Sequence, residues 1–258
     1  MAERVDDPAD PRLSEYVDLR DPDLRRRVEP DGGFFVAESP HVIRTVIGAG
    51  RRVRSVLVTP VQHDALASAL ATIDAPVYVT EPAVLRRVVG FDLHRGAVAS
   101  VDRWPLPSVP DLCAHARRVA VLERVNDHEN LGVLFRNAAA FGLDAVVLDA
   151  ECSDPLYRRT VRVSIGHVCT VPWARYASLD DVRGAGLTLV ALTPDPDAAA
   201  IDDIEWPDRC AVMLGAEGPG LSDAALAMAD LAVRIPMRSD VDSLNVATAA
   251  AIAFHVSR

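Results

Sequence analysis

The chain has 258 residues, half of them hydrophobic and a quarter charged, with 27 basic against 37 acidic side chains and a formal net charge of −10. Every basic residue is arginine, and the absence of lysine excludes Schiff-base chemistry, an amine general base and the lysine of a phosphate-binding P-loop. An acidic chain is repelled by phosphate on average, so bulk charge argues against simple nucleic-acid affinity. The composition, rich in Ala, Val, Arg, Asp and Pro, also carries the stamp of GC-biased coding. Length allows one large or two small domains. No stretch approaches the ~20 apolar residues that span a bilayer, and the acidic N-terminus lacks the features of a signal peptide. The expectation is a cytoplasmic protein with no membrane contact. Cys113, Cys152, Cys169 and Cys210 lie far apart with no CxxC pair, which reads as free thiols in a reducing compartment. The histidines form neither an HxxxH pair nor a cluster with the cysteines, so no metal site is expected.

Taken in chain order, residues 1–30 read as a polar helical extension with Arg25, Arg26 and Arg27 as a basic knot. Residues 31–102 read as a small α/β domain: strands over 34–37, 53–59, 77–79 and 97–99, with helices between them. Ser39-Pro40 opens the first of those helices and Gly48 or Gly50 ends it. Within this stretch residues 34–100 carry seven arginines against five acids, a mildly basic segment inside an acidic protein. Residues 103–117, with Pro105, Pro107 and Pro110, read as a linker. From 118 to 258 the βα alternation resumes. Residues 119–122 form a continuous apolar strand of the kind buried on both faces of a sheet. A helix over 130–141 with Gly142 after it follows, then strands at 146–148, 188–192, 211–214 and 233–235, and an Ala-rich helix over 244–256. Such alternation predicts a mostly parallel sheet.

Three segments place polar residues where a plain fold does not need them. Asn130 and Arg136 stand in 126–137, just past a buried-type strand, where open α/β sheets bind ligands; the alternative is a capping Asn and a solvated Arg. The loop Leu214-Gly215-Ala216-Glu217-Gly218-Pro219-Gly220-Leu221-Ser222 has glycines that admit positive φ and close backbone approach. It has no lysine and no Walker or GxGxxG spacing, and Glu217 would repel phosphate. It therefore suits a neutral or cationic ligand, or else is a tight strand–helix turn. The third segment holds Ile235 and Met237 together with Ser243, Leu244 and Asn245. Asp242 or Ser243 can cap the last helix, which puts Asn245 in its first turn, where such a side chain is tolerated; capping explains one of the two polar residues more easily than both.

Together, NLGVLFRNAAAFG, LGAEGPGLS and IPM…SLNVATAAAI resemble the signature motifs of the SpoU (TrmH-type) branch of the SPOUT RNA methyltransferases. Residues 34–100 resemble, more loosely, the substrate-binding domain of the rRNA-modifying members. Here Glu38-Ser39 stands where those members usually read Glu-Gly, and Ala247-Thr248 where a serine often follows the valine. The resemblance implies an α/β fold with a small N-terminal RNA-binding domain and a mostly parallel-sheet domain carrying a C-terminal trefoil knot, a feature that general topology rules do not supply. It implies S-adenosyl-L-methionine as cofactor, a ribose 2′-hydroxyl of RNA as acceptor, and a homodimer with the site near its interface. Gly215, Ile235 and Leu244 would meet the cofactor largely through backbone, with Met237 beside it. Arg136 would act on the hydroxyl; because an arginine is a poor base, positioning the ribose and adjacent phosphate is its expected role. Asn130, Glu217, Ser243 and Asn245 would organise the site by hydrogen bonds. The added N-terminal domain favours rRNA as substrate by analogy, with tRNA, or a non-catalytic RNA-binding protein of the same fold, as alternatives. Arg51, Arg52, Arg54, Arg86, Arg87, Arg158, Arg159 and Arg162 are candidates for RNA backbone contact, equally readable as solvated charged faces.

Overall fold

The computed structural model describes residues 2–238 and 240–257. The chain divides into two units, one made of residues 1–104 with 156–170 and the other of 105–155 with 171–258. The first contains β1 (Ala2–Arg4), α1 (Pro22–Asp31), β2 (Phe34–Glu38), α2 (Pro40–Gly48), β3 (Val53–Val58), α3 (Pro60–Leu70), β4 (Val77–Val79), α4 (Pro82–Val89) and β5 (Ala97–Asp102). Helices α2, α3 and α4 each begin on a proline, a residue whose fixed φ suits the first helical position and whose missing N–H costs nothing there. The strands form one sheet in the order β1-β4-β3-β5-β2. β4 runs parallel to β1 and β3, whereas β5 is antiparallel to both of its neighbours.

Two boundaries differ from the sequence reading. Residues 2–30, though helical over Pro11–Tyr16 and Pro22–Asp31, are not a separate extension but part of the first unit. β1 pairs along β4, and Leu13, Tyr16 and Leu19 are buried in the same core as Phe34, Val36 and Leu57. The Tyr16 hydroxyl shares a 2.6 Å hydrogen bond with Ser55 Oγ and accepts one from Ser100 N–H at 3.2 Å. The high charge of this stretch hides three apolar residues spaced three apart, which is why it reads as polar. Residues 156–170, expected in the second domain, belong to the first unit. There the helix Arg158–Val163 places Arg158 in an ion pair with Glu38, with Nη2 donating to Leu19 C=O at 3.1 Å and the guanidinium over the Phe91 ring.

Arg51 and Arg54, two of the candidates for RNA contact, are engaged within the first unit. Arg51 donates twice to Cys169 C=O, at 3.0 and 2.8 Å, and lies 3.7 Å from the Trp104 ring centroid. Arg54 holds Glu15, Asp102 and Gly32 C=O. Arg25, 3% exposed, is paired with Glu29 and donates to Val17 and Glu15 carbonyls, so of the knot at 25–27 only Arg26 and Arg27 stay exposed.

The second unit continues with α5 (Val109–Cys113), β6 (Arg118–Leu122), α6 (His128–Phe141) and β7 (Ala145–Leu148). The helix Arg158–Val163 already described is α7, and β8 (Trp173–Arg175), α8 (Asp180–Gly184), β9 (Thr188–Leu192) and β10 (Ala199–Ala200) follow it. β11 (Cys210–Leu214), α9 (Asp223–Met228), β12 (Leu231–Arg234) and α10 (Val246–Val256) complete the chain. The stretch read as a linker is therefore partly helical. Ser108 caps α5, and Val109 and Cys113 enter the core of the second unit.

The seven strands pair in the order β10-β12-β9-β11-β6-β7-β8, every pair parallel. The chain lays β6, β7 and β8 outward on one side, and β9 then crosses to the other side of β6, with β11 filling the gap. The reversal puts a crevice outside the carboxyl ends of the central strands, where parallel sheets bind ligands. Helix α10 lies against α6: Asn137 Nδ2 donates to Ala247 C=O at 2.8 Å, and the Phe141 and His255 rings meet edge-on. The four cysteines are free and buried; burial pushes the Cys152 and Cys169 thiols up to about 12, so they hold little thiolate at neutral pH. Among the described residues no helix is long and apolar enough to cross a membrane, and no cluster of three or more His, Cys, Asp or Glu is arranged to hold a metal.

Candidate active site

Three loops meet at the carboxyl ends of β6, β11 and β12. The first two are tied by Glu123, whose carboxylate accepts from Ser222 N–H and Ser222 Oγ, both at 2.7 Å. After β11 the glycine loop closes on itself. Gly220 N–H donates to Ala216 C=O at 3.0 Å, and Gly218 and Gly220 sit at φ 88° and 69°. A Cβ on Gly215 would lie 2.1 Å from the Gly220 carbonyl carbon, so glycine is required there by the backbone crossing itself.

The caps determine which side chains are left for chemistry. Asp127, not Asn130, caps α6, its carboxylate accepting from Glu129 and Asn130 N–H at 2.9 and 2.8 Å. Asn245, not Asp242 or Ser243, caps α10, its Oδ1 accepting from Ala247 and Thr248 N–H at 3.0 and 3.2 Å. That duty orients the Asn245 amide. Its Nδ2 is turned toward Asn130 Oδ1 at 2.9 Å and Glu217 Oε1 at 2.7 Å, while Asn130 Nδ2 donates to the same Glu217 oxygen at 2.7 Å. One residue from each motif thus closes a three-membered polar network, in which both amide orientations follow from the caps outward.

Beside this network lies a cavity of about 270 Å³ walled by the end of β9, the glycine loop and the 235–249 segment. Gly215, Ile235, Met237 and Leu244 line it, together with Glu217, Ser243 and Asn245. Leu192, Leu214 and Ala249 extend the apolar wall, and Glu217 is the sole charged side chain among the lining residues. Such a chamber suits a ligand with an uncharged ring and a positive centre, and it would disfavour phosphate.

The structure does not bring Arg136 into this group. Six residues past Asn130, it points about 120° away around the helix, on the exposed stripe with Glu129 and Ala140. It does not line the cavity and has no ion pair or hydrogen bond among the described residues. Sequence reasoning missed Thr193 and Pro194, which wall the cavity after β9; their signal is a Thr-Pro pair directly after a buried strand, meaningful once the strand order is known. It also missed Arg124 and Glu151, which line a second cavity on the other side of the polar network.

With this geometry in view, the chain belongs to the SpoU rRNA methylase family, whose model matches residues 117–255. It is 45% identical over 97% of its length, and 90% of the relative's, to an uncharacterised tRNA/rRNA methyltransferase of Mycobacterium tuberculosis. A Synechocystis tRNA/rRNA methyltransferase is 29% identical over 88% of this chain and 84% of its own. Among solved structures, the AdoMet-bound rRNA methyltransferase from Sinorhizobium meliloti superposes with a TM-score of 0.85 at 23% identity, over 100% of this chain and 97% of that one. An RNA 2′-O ribose methyltransferase gives 0.75 at 25% identity, over 99% and 98%. The shared fold therefore extends through both units.

Proposed function

We propose that this protein is an S-adenosyl-L-methionine-dependent methyltransferase acting on a ribose 2′-hydroxyl of RNA, with ribosomal RNA as substrate. The observation that carries this reading is the Asn130–Glu217–Asn245 network at the edge of a largely apolar cavity whose sole charged side chain is a carboxylate. A cofactor with an adenine ring and a cationic sulfonium fits that lining, whereas a nucleotide phosphate would face Glu217 with no lysine or arginine to balance it. Bound there, the cofactor supplies an already activated methyl group and a neutral leaving group.

The protein's remaining work is alignment and the removal of one proton. Gly215 and Leu244 offer backbone polar groups, and Ile235 and Met237 give apolar contact. The three-residue network, with Ser243 beside it, fixes the mouth of the cavity where the ribose must enter. Arg136 acts as a fork that holds the phosphate next to the target ribose, favouring loss of the hydroxyl proton by its charge. Because Arg136 lies outside the cavity of its own chain, the reading includes a homodimer in which a second copy completes the site. It also includes the knotted C-terminal trace of the family and a cytoplasmic location.

Support for the acceptor comes from the 2′-O ribose methyltransferase that matches nearly the whole chain; support for rRNA comes from the family description and the additional first unit. The test uses purified protein, radiolabelled S-adenosylmethionine, and rRNA and tRNA from cells lacking the gene. Label retained in alkali-resistant dinucleotides of the rRNA fraction is the expected result. Label confined to tRNA would overturn the rRNA assignment, and label in alkali-labile, base-methylated nucleotides would overturn the 2′-O assignment.

A further inference from the structure

The polar network is shared by two chambers. On the side away from the apolar cavity lies a second one of about 250 Å³, which has Ala216, Glu217 and Val246 in common with the first. Glu217 therefore faces both, with Asn245 lining the first and Asn130 the second. The second chamber differs in chemistry: Arg124 forms part of one wall, and Glu151 and Asp127 bring carboxylates. The Asp127 carboxylate is engaged as the α6 cap, whereas the exposed Glu151 carboxylate has no partner among the described residues. Val125, Pro219 and Val246 supply apolar surface.

Arg124 is the feature that a plain loop does not explain. Its backbone sits at φ 56°, and it is the one non-glycine residue of the second unit with positive φ among the described residues. Bulky side chains avoid that region, so such outliers gather at functional sites. The turn is held from outside, with Arg124 N–H donating to Asp149 Oδ2 at 2.9 Å. The guanidinium makes one 3.3 Å hydrogen bond, from Nη2 to Gly220 C=O, and a 3.8 Å ion pair with Glu123. Its Nε is buried without a partner. A guanidinium held in a strained turn beside an open cavity, with only Nη2 engaged, has Nη1 left to meet a ligand.

We infer that this second cavity receives the base of the target nucleotide, and that Arg124 and Glu151 select guanine; the inference rests on the methyltransferase reading above. The chamber carries three carboxylates against one guanidinium, which disfavours a phosphate and favours a neutral group offering both acceptors and N–H donors. Guanine presents acceptors at O6 and N7 that match an arginine fork. Its N1–H and amino group match a carboxylate, and an unpaired base exposes both edges. Uracil lacks the amino group, cytosine pairs its amino group with an acceptor edge, and adenine has no carbonyl. Seating the base here puts its ribose at the Asn130–Glu217–Asn245 network, between base and methyl donor.

The test labels total RNA from cells lacking the gene with the protein and radiolabelled S-adenosylmethionine, then digests it to nucleosides. Label in 2′-O-methylguanosine is expected. Label in 2′-O-methyladenosine, -cytidine or -uridine overturns this inference and leaves the methyltransferase reading standing; label in a base-methylated nucleoside, or none, overturns both. Arg124→Gly separates binding from folding, because glycine suits φ 56°. The variant should melt no lower than the parent and bind S-adenosylmethionine within twofold by calorimetry, yet lose 10- to 100-fold in kcat/KM for the RNA. Glu151→Gln should lose about tenfold. Wild-type kcat/KM in both variants would overturn the inference.

Discussion

In the first unit, Arg25, Arg51 and Arg158 are turned inward, and Arg54 is engaged at the surface, clamping carbonyls, carboxylates and aromatic faces. In the second unit, Arg118, Arg175 and Arg209 do similar work at strand ends, but Arg136 stands exposed and Arg124 lines a cavity with a donor unused. The contrast shows that net charge is a poor guide to an anion-binding face in a chain without lysine. A guanidinium has five donors in a fixed fork and is less strongly hydrated than an ammonium, so it serves as internal scaffolding as readily as ligand contact. The mildly basic 34–100 segment loses much of its apparent attraction for RNA once these clamps are set aside. The remaining open arginines of the first unit, such as Arg87 and Arg95, are fewer than the sequence count.

The largest effects should come from the site side of this contrast. Asn245→Ser keeps a residue able to cap α10 but removes both Nδ2 donors to Asn130 and Glu217. We expect methyl transfer to fall at least 100-fold while the melting temperature changes little; activity within fivefold of wild type would show that the network is scaffolding, like the clamps of the first unit. Gly215→Ala should abolish S-adenosylmethionine binding measured by calorimetry, because its Cβ would collide with the Gly220 backbone and only reopening the loop can relieve the clash. Retained affinity would mean that the loop can reopen without disturbing the cavity.

How much of this was legible in the sequence depended on burial and length. The apolar runs at 119–122 and 188–192 announce strands because a parallel sheet covered on both faces needs no polar alternation, and β9 (Thr188–Leu192) matches the predicted span. β1, β8 and β10 have three residues or fewer, too short for any period to show. Strand order is not written in chain order, so the walling of the cavity by Thr193 and Pro194 could not be read. At the site, Asn130, Glu217 and Asn245 stood out as unexplained polar residues, and the family resemblance grouped them. Which residue caps α6 and α10 is misread from sequence, because Asp, Asn and Ser all cap well and the choice is made by tertiary position. The exposed orientation of Arg136 follows from the 3.6-residue helical period, once Asn130 is known to face the site.

The clamp side of the contrast gives a smaller and different signature. Arg158→Met leaves Glu38, 6% exposed, with only the longer 3.6 Å ion pair to Arg162; removing one member of a buried pair costs about 3 kcal/mol, and the remaining pair should bring the loss below that. Denaturant unfolding should show that loss, with RNA binding unchanged at temperatures where the variant is folded. An equal stability for Arg158→Met and wild type, with weaker RNA binding, would move Arg158 to the binding class. Arg87→Ala is the reverse case. Arg87 is exposed with no pairing among the described residues, so stability should hold while the slope of log affinity against log salt becomes shallower by about 0.7 to 0.9, one phosphate contact. An unchanged slope would place Arg87 among solvated charges.

The smallest effect tests whether a surface clamp in the second unit behaves like the buried ones in the first. Asp230 accepts from Leu189 N–H at 2.9 Å and from Arg183 Nη2 at 2.6 Å. These bonds, the backbone one first, hold its carboxyl below the ordinary range. A carboxyl whose folded pKa is depressed contributes stability that is present above its unfolded value, about 4, and is lost as pH falls through the folded value. Asp230→Asn should therefore be less stable than wild type at pH 7, and the gap should close as both are unfolded at progressively lower pH, below about 4. Because both partners are well exposed, the gap should be modest and shrink in high salt, unlike that of Arg158→Met. A gap that persists unchanged at low pH would assign the loss to the altered side-chain shape at the start of β12 and not to the charge.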